Sequence, residues 1–169
     1  SDILSSIDSL FEIHKQISSS NLTDSNPAIN LANWIVGIPL IYYPHGLQSA
    51  AIRLKSALQE NSKIHAIAED IIEACHNGIV AWETSSVVQP ILLRGTDDYI
   101  KTKERFSIIE QFFTDNEIDY KVITSVDGNI LTKIISLIYL LDYTSIYSAI
   151  LGRIDPTPVK SINYIKRQL

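Results

Sequence analysis

Methionine is absent from the 169-residue sequence, which begins at Ser1. A translated chain starts with methionine, so the expectation is a portion of a longer gene product. Cysteine occurs once, as Cys75, which excludes an intrachain disulfide and a cysteine-built zinc site. The six glycines are scattered, and neither GxGxxG nor GxxxxGK[ST] is present to cradle a nucleotide phosphate. GxSxG is missing as well, so serine nucleophile chemistry has no local signature. The four histidines, His14, His45, His65 and His76, lack HxH and HxxxH spacing, and neither a metal nor another cofactor is expected. Basic charge is scarce too. A net charge of -5 and a pI near 5.3 argue against nucleic acid, whose phosphates demand a basic face. No cationic segment leads into an apolar signal core at the start, so the expected compartment is the cytoplasm.

What is present suits a single folded domain: 46% hydrophobic and 20% charged residues, far from the composition of disorder. The longest apolar run, "ILTKIISLIYLLDYTSIYSAIL", is interrupted by Lys133, Asp142 and several hydroxyls, which predicts a buried core helix and no membrane partner.

Ile3, Ile7, Leu10, Phe11, His14 and Ile17 recur at three- and four-residue spacing, the stripe of an amphipathic helix. Asn26 before Pro27 marks the start of a second, short helix. "IPLIYY" (38–43) is a continuous apolar run closed by Pro44 and Gly46, the mark of a strand buried on both faces. A helix is predicted from Leu47 to Gln59. The strand-then-helix order repeats with "VVQPILLRG" and "DDYIKTKERFSIIEQFFTDN", and again with "DYKVITSV" and the helix from Gly128 to Gly152. Between them "KIHAIA" predicts a short strand and "EDIIEACHN" a helix. Alternation of this kind predicts a three-layer α/β/α sandwich with a mostly parallel sheet. Ligands in such folds sit beyond the carboxyl ends of the strands, which would place "YPHG", the segment after Ala68 and "RGTDD" on the functional rim.

Acid–base chemistry is the class that the residues leave open. Glu60 falls at the end of a predicted helix, where a glutamate opposes the negative end of the dipole. The ordinary outcome there is a solvated surface residue; the functional one is a general base in a cleft. His76 falls in the last turn of a predicted helix stopped at Asn77-Gly78, as a charge partner of the helix end or as an acid–base group. In "DPTPVKSINYIKRQL" the prolines set a rigid turn, Pro158 can begin a helix, and Val159, Ile162 and Ile165 are placed to dock it. Lys166 in its last turn suits the dipole as a solvated lysine.

Three blocks, "RLKSALQENSK" (53–63), "CHNGIVAWE" (75–83) and "DPTPVKSINYIKRQL" (155–169), together resemble the carboxyl-terminal half of the bifunctional phosphoglucose/phosphomannose isomerases of archaea and bacteria, which are built from two sugar isomerase (SIS) domains. The resemblance implies one SIS domain over residues 1–169 and interconversion of glucose 6-phosphate and fructose 6-phosphate. It assigns Glu60 the proton transfer between C1 and C2, His76 ring opening and Lys166 a catalytic role. Thr157 is the nearest candidate for the threonine used with mannose 6-phosphate, although an ungapped match places Val159 there. Gly78 stands where the family often has glutamate. The resemblance further implies a missing amino-terminal SIS domain that binds the phosphate, negligible activity of this half alone, and a homodimer in which the histidine can come from the neighbouring chain. The alternative is a non-catalytic sugar-phosphate-binding or dimerisation module; the presence of all three matched residues weighs against it.

Overall fold

The computed structural model describes Asp2 to Leu169. Four segments become strands: β1 (Ile38–Tyr43), β2 (Ile67–Asp70), β3 (Val88–Arg94) and β4 (Lys121–Thr124). All pair in parallel in the order β2-β1-β3-β4. Side chains alternate across the sheet. Ile41, Tyr43, Ile91 and Leu93 face one core, whereas Leu40, Tyr42 and Leu92 face the other. A sheet buried on both faces needs a helical layer on each. One layer holds α2 (Pro27–Trp34), α3 (Gln48–Ala57) and α6 (Ile130–Leu151); the other holds α4 (Ile71–Ala74), a 3-10 helix (Gly78–Glu83) and α5 (Ile100–Asp115). The expected three-layer α/β/α sandwich is the fold.

The long apolar run is α6, which packs against α2, α3 and α1 (Asp2–Ile17). By length and composition it could cross a membrane. Here its polar residues Thr132, Lys133, Ser136, Thr144 and Ser145 are buried against the neighbouring helices. Asn26 caps α2 as anticipated, accepting from the amides of Ala28 and Ile29, while its amide group reaches back to the carbonyls of Ile17 and Asn21.

Three local expectations are corrected. Most of the stripe of α1 stays out of the core: Ile3 and Phe11 are each 64% exposed and Ile7 is exposed beside them, and of the stripe only Ile17 is buried, together with Ser6 and Ile13, which lie off it. A hydrogen bond between the hydroxyls of Ser6 and Thr132 (2.8 Å) draws the small-residue side of α1 onto α6 and turns the apolar stripe outward. The strand expected at "KIHAIA" begins only at Ile67, where pairing with Leu40 becomes possible, and it takes in Glu69 and Asp70. The helix expected there shrinks to one turn, capped by Asp70 at the Ile72 amide. Finally, α7 (Lys160–Lys166) buries no residue. Ile162 and Ile165 remain 42% and 58% exposed, and Val159 is half-buried.

Candidate active site

The helix expected to end at Gln59 does not end there. Past Ala57 the backbone widens into a π-turn, Leu58–Ser62, which closes at Lys63 in the left-handed region (φ 59°). A π-turn inserts a residue into the helical ladder and occurs frequently at functional sites. Leu58 stays in the core, and Glu60 is turned out to solvent. The turn is held to α6 at Ser145. Asn61 donates its amide to Ser145 Oγ (2.8 Å), and Ser62 Oγ donates to the Ser145 carbonyl (2.8 Å). Farther back, Arg53 on α3 makes a two-pronged ion pair with Asp142 on α6 (2.8 and 2.9 Å). Ser145 and Asp142, two of the polar residues interrupting the apolar run, thus anchor the segment that carries Glu60. Their presence in an otherwise apolar helix was the available signal for these contacts.

Glu60 opens onto a cleft of about 330 Å³ between the π-turn and the tail, lined also by Gln59, Lys63, Asp155, Pro158, Val159 and Ile162. Its size is within the range of small-molecule sites. Asp155, whose carboxylate accepts the Thr157 amide (2.9 Å), is held below the usual carboxylate range chiefly by that bond. Thr157 is exposed and does not line the cleft; Val159 does. Lys166 also lies outside it, at the exposed end of α7.

His76 is elsewhere. It follows the single turn of α4 and is exposed. Glu60 precedes β2 by several residues and His76 follows it, so the two lie beyond opposite ends of a strand whose four residues span about 13 Å. No hydrogen bond or shared cleft joins them among the described residues. The chain therefore brings Glu60 together with the tail, and does not bring it together with His76, Thr157 or Lys166.

Glu69, on β2, was not singled out by sequence. Burial pushes its carboxyl up, with Glu73 adding to the shift. It sits against the backbone of Gly78: a Cβ there would lie 3.0 Å from both of its oxygens. A side chain at position 78 would meet the Glu69 carboxylate, which would have to give by a few tenths of an ångström. A carboxyl raised by folding adds stability below its ordinary titration range, and that stability is lost as pH rises through the raised value. Glu69→Gln is expected to melt higher than the wild type at pH 7 and equally at pH 3. The same gain at both values in a thermal melt would refute the assignment.

The carboxyl rim of the sheet holds a second cleft, of about 290 Å³, lined by His45, Gly95, Asp97, Asp98, Asn129 and Lys133. Buried Lys133 pairs with the exposed carboxylate of Asp97 and holds it below the usual range. Asp98 accepts the Gly95 amide (2.8 Å), and burial raises its carboxyl. Two acids set against one ammonium suit a phosphate poorly. Glu60 lies at the opposite, amino end of the sheet, whereas His76 follows the carboxyl end of β2.

Comparison with known proteins bears on this arrangement. The family described as "Bacterial phospho-glucose isomerase C-terminal SIS domain" matches residues 24–169. A bifunctional phosphoglucose/phosphomannose isomerase of Caldicellulosiruptor bescii is 34% identical over 137 residues, covering 78% of this chain and 40% of that protein. Its counterpart from Aquifex aeolicus is 29% identical over 143 residues, covering 82% and 45%. The chain thus spans less than half the length of these curated relatives. A glucose-6-phosphate isomerase like protein from Thermus thermophilus shares the fold with a TM-score of 0.72 at 18% identity, covering 88% of this chain and 51% of that one. The match over 24–169 takes in the π-turn with Glu60, the turn with His76 and the tail: this chain belongs to the family of bacterial phosphoglucose isomerase C-terminal SIS domains.

Proposed function

We propose that the chain is the carboxyl-terminal SIS half of a two-domain aldose–ketose isomerase that interconverts glucose 6-phosphate and fructose 6-phosphate. The observation that carries this reading is Glu60, presented by a braced π-turn to a cleft of small-molecule size. Moving a proton between adjacent carbons through a cis-enediol needs one base held over both, and a carboxylate on a rigid turn meets that need. The named activity of the two relatives supports it. Lys63, Lys160 and the Ser161 hydroxyl also line the cleft, and in this reading the remaining ligands of the phosphate come from an amino-terminal SIS domain.

His76 enters the same reading from a second copy. Glu60 and His76 lie at opposite ends of β2, so one site can use both when a dimer sets the His76 turn of one chain over the Glu60 cleft of the other. Mixing Glu60→Gln with His76→Ala two-domain proteins, each nearly inactive alone, tests this. In mixed dimers one site of the two is native, so random exchange of subunits restores about one quarter of wild-type activity. No recovery after verified exchange would overturn the shared site. Lys166, now solvent-exposed outside the cleft, fits the reading as a group that reaches the substrate once the amino-terminal half is in place. Val159, in the cleft wall, is better placed than Thr157 to influence acceptance of mannose 6-phosphate.

A further inference from the structure

Lys63 closes the E-N-S-K block with a left-handed backbone (φ 59°). Glycine or asparagine is the cheaper residue for that conformation, because a Cβ is unfavourable there. A lysine that occupies it at a cost points to a use for the side chain. Its ammonium donates to two carbonyls: Glu60 O (2.5 Å), on the π-turn, and Pro156 O (3.2 Å), on the tail. These are the two walls of the cleft onto which Glu60 opens. Few other contacts hold the tail wall. Helix α7 buries no residue, and of residues 155–160 only Pro156 and Val159 are even half-buried. Asp155 and Thr157 are bonded to each other within the tail, and Asp155 is drawn to the body only by the charge of Lys63 itself.

We propose that Lys63 is a positioning residue: a strap that joins the carbonyls of Glu60 and Pro156 and so fixes the width of the cleft and the placing of the substrate's C1 and C2 beneath the Glu60 carboxylate. The inference rests on the proposed isomerase reading for its kinetic consequence, and on the geometry alone for its structural one. Both acceptors are main-chain oxygens, so the strap tolerates changes in the side chains around it and requires a long cationic donor at position 63. Without it the π-turn remains anchored to α6 through Asn61 and Ser62, whereas the tail is released. The base would stay in place while the opposite wall moves. Displacements of about 1 Å at a reacting centre can cost a hundredfold in rate.

Three variants separate a strap from a mere turn residue. Lys63→Gly relieves the backbone and deletes the ammonium, Lys63→Met deletes the ammonium alone, and Lys63→Arg keeps a long cationic donor. In the 169-residue chain, hydrogen exchange over residues 154–162 is expected to quicken in the Gly and Met variants, to stay near wild type in Arg, and to be unchanged throughout in α5. In the two-domain enzyme kcat is expected to fall about ten- to hundredfold in Gly and Met, by more than KM changes, with Arg restoring most of it. Unaltered exchange of the tail in Gly and Met overturns the strap whatever the activity. Quickened exchange with undiminished kcat in an active enzyme overturns the positioning role. An inactive wild type would instead remove the isomerase reading, and the exchange measurements would still decide the strap.

Discussion

Replacing Glu60 by glutamine in the two-domain protein is expected to lower kcat for glucose 6-phosphate by about 10²–10⁴-fold, the usual contribution of a positioned general base. Glutamine keeps the size of the side chain and its capacity to accept a hydrogen bond. It cannot take a proton from C2 and return it to C1. KM should therefore change little, because the loss concerns an interaction made on the way to the enediol and not the binding of the sugar phosphate. Stability should change little too. Glu60 is exposed, and its carboxylate makes no hydrogen bond among the described residues, so the substitution belongs with surface changes of about ±0.5 kcal/mol. A coupled spectrophotometric assay beside a thermal melt gives both readings. Full activity in Glu60→Gln would sink the isomerase assignment built on Glu60, and turnover by the isolated 169-residue chain at the rate of the two-domain protein would instead sink the reading of this chain as half a site. The non-catalytic alternative predicts a different pair of results: calorimetric binding of a sugar phosphate by this chain alone, and no turnover when the amino-terminal half is supplied.

Phe113→Ala should have the reverse profile, with a large effect on folding that originates away from the Glu60 cleft. Phe113 is fully buried beneath the sheet, in edge contact with Trp82 (5.3 Å between ring centroids) and beside Tyr120 (5.6 Å). Trp82 is itself held by a hydrogen bond to the Tyr42 hydroxyl (2.9 Å), whose own proton burial makes hard to remove, with a pKa raised to about 12. Deleting the ring removes its transfer energy and leaves a cavity that these braced neighbours cannot collapse to fill, at a cost of about 3–5 kcal/mol. For a domain of this size that corresponds to a fall in Tm of about 6–20 °C. A loss below about 1 kcal/mol would contradict the packing described for this face. The two substitutions therefore separate catalysis from stability: one leaves the melt in place and removes turnover, and the other does the opposite.

Strongly buried segments were the most legible. "IPLIYY" is a strand because every residue meets apolar neighbours on one face of the sheet or the other, and a continuous apolar run states this in the sequence. The long helix and the Asn26 cap were equally readable, since length, periodicity and local capping chemistry determine them. Half-exposed segments were read less well. The start of β2 depended on where Leu40 offered a partner, and the outward face of α1 on a contact between hydroxyls 126 residues apart. Neither partner is near in sequence.

For the site, the residue types and their blocks were visible and their arrangement was not. The sequence by itself determined the α/β class, the family resemblance and the presence of a carboxylate, an imidazole and a lysine suited to sugar isomerisation, because composition, periodicity and short motifs are local properties of a chain. The tertiary structure alone decided that Glu60 rides on a π-turn at the amino end of the sheet, that His76 lies beyond the other end of β2, and that Lys63 ties the two walls of the Glu60 cleft. The parallel crossover before β2 reverses the chain between Glu60 and the strand, and so sets residues sixteen apart at opposite rims. A spacing along the chain does not record which way the chain turns between its ends.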